Sequence, residues 1–238
     1  MSIDIVLLTT DTTHHLFYAW KLNARFPLSA VFLETRAVHA PFETFHPFEA
    51  DRDAYEREVL LSGSVRRFDE IAETHSFESI NDSECATALQ AAGPAVLLVF
   101  GTGRLRPEII RIPGCACLNL HGGNPEYYRG LDTHLWAIYH RDFANLVTTL
   151  HHVDADFDTG DIVMQGELKI TRQTRLHELR SINTRVCVDV SLAALCHLDA
   201  AGTLPSCKQL RRGRYYSHMP AVLKEDCLKK FTRHTSQL

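Results

Sequence analysis

Asn119 and His121 stand two residues apart in CLNLH, and a Gly-Gly-Asn-Pro turn follows them. On a strand, residues two apart share a face, so the amide and the imidazole can converge on one small molecule. Together they could stabilise a developing oxyanion and move a proton. Further on, HHVDADFDTG brings His151, His152, Asp154, Asp156 and Asp158. Adjacent strand residues point to opposite faces, so His151 and His152 are poor co-ligands for one ion. No HExxH is present, and the aspartates lack the glycine and closing glutamate of a calcium loop. No metal is expected. Asp158, just before Thr159-Gly160, is the candidate carboxylate for the crevice, and the plainer role of a solvated turn suits Asp154 and Asp156. A strand-end histidine is also a common structural residue, so the chemistry rests on the set.

Two further segments could bind ligand. Tyr127, Tyr128 and Arg129 follow Pro125, and RRGRYY places Arg211 and Arg212 beside two tyrosines. Guanidinium forks suit phosphate oxygens and tyrosine faces suit a base or sugar. These are the candidate substrate-binding residues. A loop packed by its own aromatics and a solvated basic tail are the alternatives.

The elements that must position these groups read as strand alternating with helix. IDIVLLTT, LSAVFLET, PAVLLVFG and CACLNLH are short apolar runs of the kind found in buried parallel strands. DTTHHLFYAWKLNARF, NDSECATALQAAG and LDTHLWAIYHRDF carry helical spacing, and the charged stretch 51–73 is expected to be helical as well. Residues 36–50 lack a period and are expected to form a loop. HSFESI is a further candidate strand and RPEIIRIPG a short helix. LVTTLHHV and DIVMQGELKI, joined by the acidic turn, suit an antiparallel edge. A long helix begins near residue 175 and stops at Gly202, and the last 36 residues read as a polar, basic tail. The expectation is an α/β fold, a Rossmann-like mostly parallel sheet flanked by helices, with a short C-terminal extension. Residues 1–175 would form the catalytic domain, and 176–238 a helix and basic tail packed on it. Ligands of such sheets bind beyond the carboxyl ends of the strands. FGTGRLRP also follows a strand, but Arg106 stands where GxGxxG needs its third glycine, which argues against a dinucleotide loop.

The chain has 238 residues, 45% of them hydrophobic, and a net charge of −4. No global basic field exists for nucleic acid. Seven scattered cysteines read as reduced thiols. The N-terminal run lacks the basic flank of a signal peptide, and no apolar run is long enough to cross a bilayer. A cytoplasmic location, a small-molecule substrate, no nucleic-acid or membrane partner, and a homodimer as an option are expected.

Taken in order, NLHGGNPEYYRG and LVTTLHHVDADFDTGDIV resemble the folate-dependent formyltransferases. That family looks like N-x-H, a proline loop ending in R-G, a helix, then T-x-H-x-V-x-x-x-x-D-x-G. The matching positions are Asn119, His121, Pro125, Arg129-Gly130, Thr149, His151, Val153, Asp158 and Gly160. The likeness is good over roughly residues 90 to 170. It implies N10-formyltetrahydrofolate as one-carbon donor, and Asn119, His121 and Asp158 as the catalytic trio. FGTGRL resembles the segment that holds the pteridine ring, so Phe100, Gly101, Thr102, Gly103, Arg104 and Leu105 would form the folate site together with His152, Val153 and Asp154. Gly122-Gly123-Asn124 departs from the usual Ser-Leu-Leu after the histidine. TTDTTHH departs from the glycine-rich loop of the purine-pathway transformylase. The chain is also short for the initiator-tRNA formyltransferases and lacks the regulatory domain usual in formate-releasing hydrolases. The branch it looks most like formylates an amine on a nucleotide-linked amino sugar for surface polysaccharide. Another small amine, water, or folate binding without catalysis are the competing readings.

Overall fold

The computed structural model describes residues 3–37, 39–61 and 63–238. Met1 and Ser2 of the N-terminal run, Val38 of the expected loop and Ser62 of the expected 51–73 helix lie outside the described residues. In chain order the elements are β1 (Ile5–Thr9), α1 (Thr13–Asn23), β2 (Leu28–Glu34), α2 (Phe48–Glu56), β3 (Glu73–Phe77), α3 (Ser83–Ala92), β4 (Val96–Phe100), α4 (Pro107–Ile110), β5 (Ala116–His121), β6 (Tyr128–Gly130), α5 (Thr133–Tyr139), β7 (Val147–His152), β8 (Ile162–Glu167), α6 (Leu179–Ala201), β9 (Arg214–Tyr216) and α7 (Ala221–Thr235).

Seven strands form one sheet in the order β3-β2-β1-β4-β5-β7-β8. The first five are mutually parallel, and β7 runs antiparallel to both β5 and β8. The apolar runs IVLLT and VLLVF are buried at every position because helices cover both faces. One face packs Leu7, Val31 and Leu98 against Leu16, Phe17 and Leu195 of α1 and α6. The other packs Leu8, Phe32 and Val99 against Leu89 of α3 and Ile109 of α4. Between α1 and α6, the Tyr18 hydroxyl and Ser191 Oγ share a hydrogen bond of 2.9 Å. Among the described residues no helix is long and apolar enough to cross a membrane.

Two expectations need correction. The 51–73 stretch is not one helix: α2 ends at Glu56, a π-helical turn covers Arg57–Leu61, and a short 3₁₀ turn follows at Phe68–Glu70. Gly63, in the left-handed region at φ 76, cannot continue the helix. Nor is the segment after Gly202 a tail. β9 pairs in parallel with β6, and α7 buries Cys227 and Phe231 in a third cluster with Ala137 and Ile138 of α5. Its buried stripe of Lys224, Cys227, Phe231 and Thr235 has helical spacing but only one strongly apolar member, so hydrophobicity alone conceals it.

Candidate active site

β5 and β7 set Asn119 directly opposite His151, and His121 opposite Thr149. The ladder therefore points Asn119, His121 and His151 to one side. Ring nitrogen roles follow from the carbonyls they meet, since a carbonyl only accepts. His151 donates from Nδ1 to the His152 carbonyl at 2.8 Å, which leaves its Nε2 lone pair to accept from Asn119 Nδ2 at 3.1 Å. The second Asn119 hydrogen points at Asp158 Oδ1, 3.4 Å away. His121 donates from Nε2 to the Tyr128 carbonyl at 2.8 Å. Its Nδ1 faces Asp158 Oδ1 at 3.5 Å.

Asp158 is carried by the turn between β7 and β8. Its backbone is left-handed, φ 52, a region aspartate tolerates better than most residues. Asp158 Oδ2 accepts from the Gly130 N–H at 2.8 Å. Gln209 Nε2 donates to the carbonyls of Asp158 (3.0 Å) and Gly160 (2.9 Å), clamping the turn from outside. The glycines of R-G and D-x-G have steric reasons. A Cβ on Gly160 would lie 1.8 Å from the His152 carbonyl oxygen, and one on Gly130, at φ 91, would lie 2.2 Å from the Tyr216 carbonyl oxygen.

Burial pushes the His121 imidazole below its ordinary pKa, and the facing Asp158 carboxylate only partly opposes this. Burial alone would raise Asp158. The charge on His121 when protonated, the His151 ring and the Gly130 N–H outweigh it, so the carboxyl stays well below the usual carboxylate range. Near neutral pH the site is thus an anionic Asp158 beside a neutral His121 with an open Nδ1. That arrangement can accept a proton at Nδ1 and hold the resulting imidazolium against the carboxylate. Among the described residues no three His, Cys, Asp or Glu side chains are disposed to hold a metal ion.

These groups open into a cavity of about 950 Å³ at the carboxyl ends of the strands. Asn119, His121, His151 and Asp158 line it, as do Phe100, Gly101, Thr102, Gly103, Arg104, Leu105, Val153 and Asp154. The 100–105 loop is held by Glu34, which accepts from Gly103 N at 2.6 Å and from Ile80 N at 3.1 Å. The N–H and C=O of Leu105 meet no hydrogen-bond partner among the described residues.

Six of the expected binding residues do not line the cavity. His152 follows His151 on the strand and so turns to the opposite face. Tyr128 contributes its carbonyl to His121 and its hydroxyl to Asp142. Arg129 is buried and ties the Gly213 and Phe157 carbonyls together. Arg211 lies over the Tyr127 ring, 4.6 Å from its centre, and Arg212 pairs with Asp156 at 2.9 Å. The positively charged groups that do line the cavity are Arg36, Arg52, Arg104 and Arg180. Sequence reasoning missed His151, Gln209, Arg52 and Arg180 as site residues. His151 was within reach, because strand alternation requires one of the two adjacent histidines to share the Asn119 side. The others come from distant helices and loops and leave no local signal.

A formyl transferase family model matches residues 52–186, which span β5, the R-G loop, β7 and the Asp158 turn. A methionyl-tRNA formyltransferase from Gloeothece citriformis is 26% identical over 158 residues, covering 66% of this chain and 46% of its own length. The chain thus spans about half the length of the curated relatives it matches. Among solved structures, a 4-N formyltransferase from Francisella tularensis superposes with a TM-score of 0.61 at 14% identity, covering 91% of this chain and 77% of its own. The formyltransferase PseJ from Anoxybacillus kamchatkensis, solved with UDP-4,6-dideoxy-4-formamido-L-AltNAc and tetrahydrofolate, gives 0.51 at 16% identity over 90% of this chain and 85% of its own. Because the family match covers more than half of the chain, including the strand that carries Asn119 and His121 and the turn that carries Asp158, the chain belongs to the formyl transferase family.

Proposed function

We propose that this chain transfers a formyl group from N10-formyltetrahydrofolate to a primary amine of a nucleotide-linked amino sugar destined for surface polysaccharide. The observation that supports it most is the convergence of Asn119, His121 and Asp158 at the floor of one large cavity. The fit to a folate is carried by the 100–105 loop. Its glycines allow close approach, and the unpartnered Leu105 N–H and C=O can pair with a flat heterocycle. The bound donor supplies an activated formyl carbon. Val153, Asp154 and the loop would hold it over Asn119.

The protein's own groups then do three things. His121 Nδ1 takes the proton released by the attacking amine, directly or through one water, and returns it to the donor nitrogen as the bond from that nitrogen to the formyl carbon breaks and tetrahydrofolate leaves. Asp158, anionic and fixed by the Gly130 N–H, stabilises the imidazolium so formed. Asn119 offers the hydrogen now in the longer contact, 3.4 Å to Asp158, to the oxygen that gains negative charge. His121 cannot use Nε2 for this, because that N–H is held by the Tyr128 carbonyl. The sugar acceptor is suggested by PseJ, whose structure contains a formylated UDP-sugar.

Thermal shift with 5-formyltetrahydrofolate, then with dTDP-, UDP- and GDP-linked amino sugars, tests the reading. A folate shift followed by a further sugar-dependent shift is expected. Folate binding with no sugar effect would favour another amine or water as acceptor, and no folate binding would remove the reading altogether.

A further inference from the structure

The α2/α6 wall of the cavity carries charge that formyl transfer itself does not use. Arg180 donates from Nε and Nη2 to the two oxygens of the buried Glu56, at 2.7 and 2.6 Å, and from Nη2 to Asp53 at 2.8 Å. Arg52 donates from Nε to Asp53 and from Nη1 to Glu49, each at 3.0 Å. Lys224 steadies Glu49 from the far side at 3.1 Å. The carboxylates hold two of the three nitrogens of each guanidinium. Nη1 of Arg180 and Nη2 of Arg52 meet no hydrogen-bond partner among the described residues, and both arginines line the cavity. Arg180, Arg52 and Lys224 balance Glu56, Asp53 and Glu49 one for one. Arg36 lines the same cavity with no side-chain partner among the described residues.

Their position matters as much as their charge. The 100–105 loop is pinned by Glu34, whose neighbour at the same strand parity, Phe32, packs on the α3/α4 face of the sheet. Arg180 opens α6, which covers the opposite face. Asn183, one turn further along α6, approaches Gly122, the residue after His121, so closely that a Cβ there would lie 3.7 Å from Asn183 Nδ2. One helical turn rises about 5.4 Å. Arg180 therefore stands about one helical turn from the residue that follows His121, and its partner Glu56 lies 3.8 Å from His14, whose ring neighbours His15 and Phe100.

We propose that Arg52 and Arg180 bind the phosphate-class anionic group of the acceptor, holding it so that its amine reaches His121. Guanidinium groups held by carboxylates, each with one nitrogen still free to donate, suit charge-assisted contact to phosphate oxygens. This rests on the reading of the acceptor as a phosphorylated or nucleotide-linked amine.

The test is calorimetric titration of the full chain with inorganic pyrophosphate and, separately, with 5-formyltetrahydrofolate. The variants are Arg52→Ala and the charge-balanced pair Arg180→Met with Glu56→Gln, which avoids stranding a buried carboxylate. Pyrophosphate affinity should fall at least tenfold in both, with folate affinity within twofold of the unaltered protein. Loss of folate affinity with pyrophosphate binding kept would overturn the proposal and give these arginines to the carboxylates of the folate tail. Absence of pyrophosphate binding in the unaltered protein, or equal binding in all three, would overturn it too. If the unaltered protein binds pyrophosphate in the expected pattern but no folate, the anion site stands and the formyl-transfer reading falls.

Discussion

At the scale of single residues, the arrangement turns on who holds whose hydrogen. His151 accepts from Asn119, and Gly130 donates to Asp158, so two of the three central side chains are fixed before any ligand arrives. Removing His121 or neutralising Asp158 should therefore be costly. His121→Ala and Asp158→Asn are each expected to lower kcat by about 100-fold or more. The double variant should lose little beyond the worse single one, because the pair acts as a unit; steady-state assays of the three proteins check this. His151→Ala should lower kcat by about tenfold while leaving the folate KM nearly unchanged, since it frees the Asn119 amide without touching the 100–105 loop. The pH dependence has a definite sign. His121 must be neutral to accept a proton, and burial places its pKa below 6.5. Turnover should thus persist through pH 6.5 and fall only as pH drops through that lowered value. A pH–rate profile whose acidic limb lies above 6.5 would speak against His121 as the base.

At the scale of elements, the turn between β7 and β8 is the most delicate part. It must return the chain, hold Asp158 in a left-handed backbone and pass within contact of the His152 carbonyl. Gly160→Ala is expected to disrupt this turn, lowering both activity and Tm. Gln209→Ala should be gentler, keeping the far-UV circular dichroism while kcat falls, because it removes two hydrogen bonds that steady the Asp158 carbonyl and its neighbour. Much of this level was legible beforehand. The buried runs IVLLT and VLLVF and the motif strand ACLNLH announced the parallel strands, and LVTTLHH with DIVMQGE announced the antiparallel edge. What was hidden had physical reasons. The π-helical turn after α2 depends on how Leu60 packs in the core, which no local pattern encodes. The short parallel ribbon of β6 and β9 joins segments far apart in sequence and depends on Gly130 meeting Tyr216. The basic character of RRGRYY suggested an anion site. Tertiary structure instead spends Arg211 on Tyr127 and Arg212 on Asp156.

For the whole molecule, the C-terminal segment completes the fold. Phe231 is fully buried against α5, and Lys224 reaches the Thr44 carbonyl at 2.7 Å as well as Glu49. Phe231→Ala should cost about 3–5 kcal/mol of stability, read by urea denaturation. Buried neutral histidines set the acid limit of the fold. Burial lowers His15 to about 3 and His134 to about 4. Unfolded, both would protonate near 6.5, so the unfolded state binds more protons below that pH. Stability should fall as pH drops from about 6.5 toward 4, by up to about 1.4 kcal/mol per pH unit for each histidine, and should be insensitive to these groups above 6.5. Melting curves across that range check the sign. The central claim concerns all three scales at once: residues at two strand ends, held by a constrained turn, act inside one cavity of about 950 Å³. Its most direct test is to mix the protein with N10-formyltetrahydrofolate and nucleotide-linked amino sugars, following tetrahydrofolate release and N-formyl sugar together. The account predicts that the two products appear in equal amounts with at least one such sugar, and that His121→Ala lowers both about 100-fold. Tetrahydrofolate release without formylated sugar, or equal turnover in the variant, would contradict it.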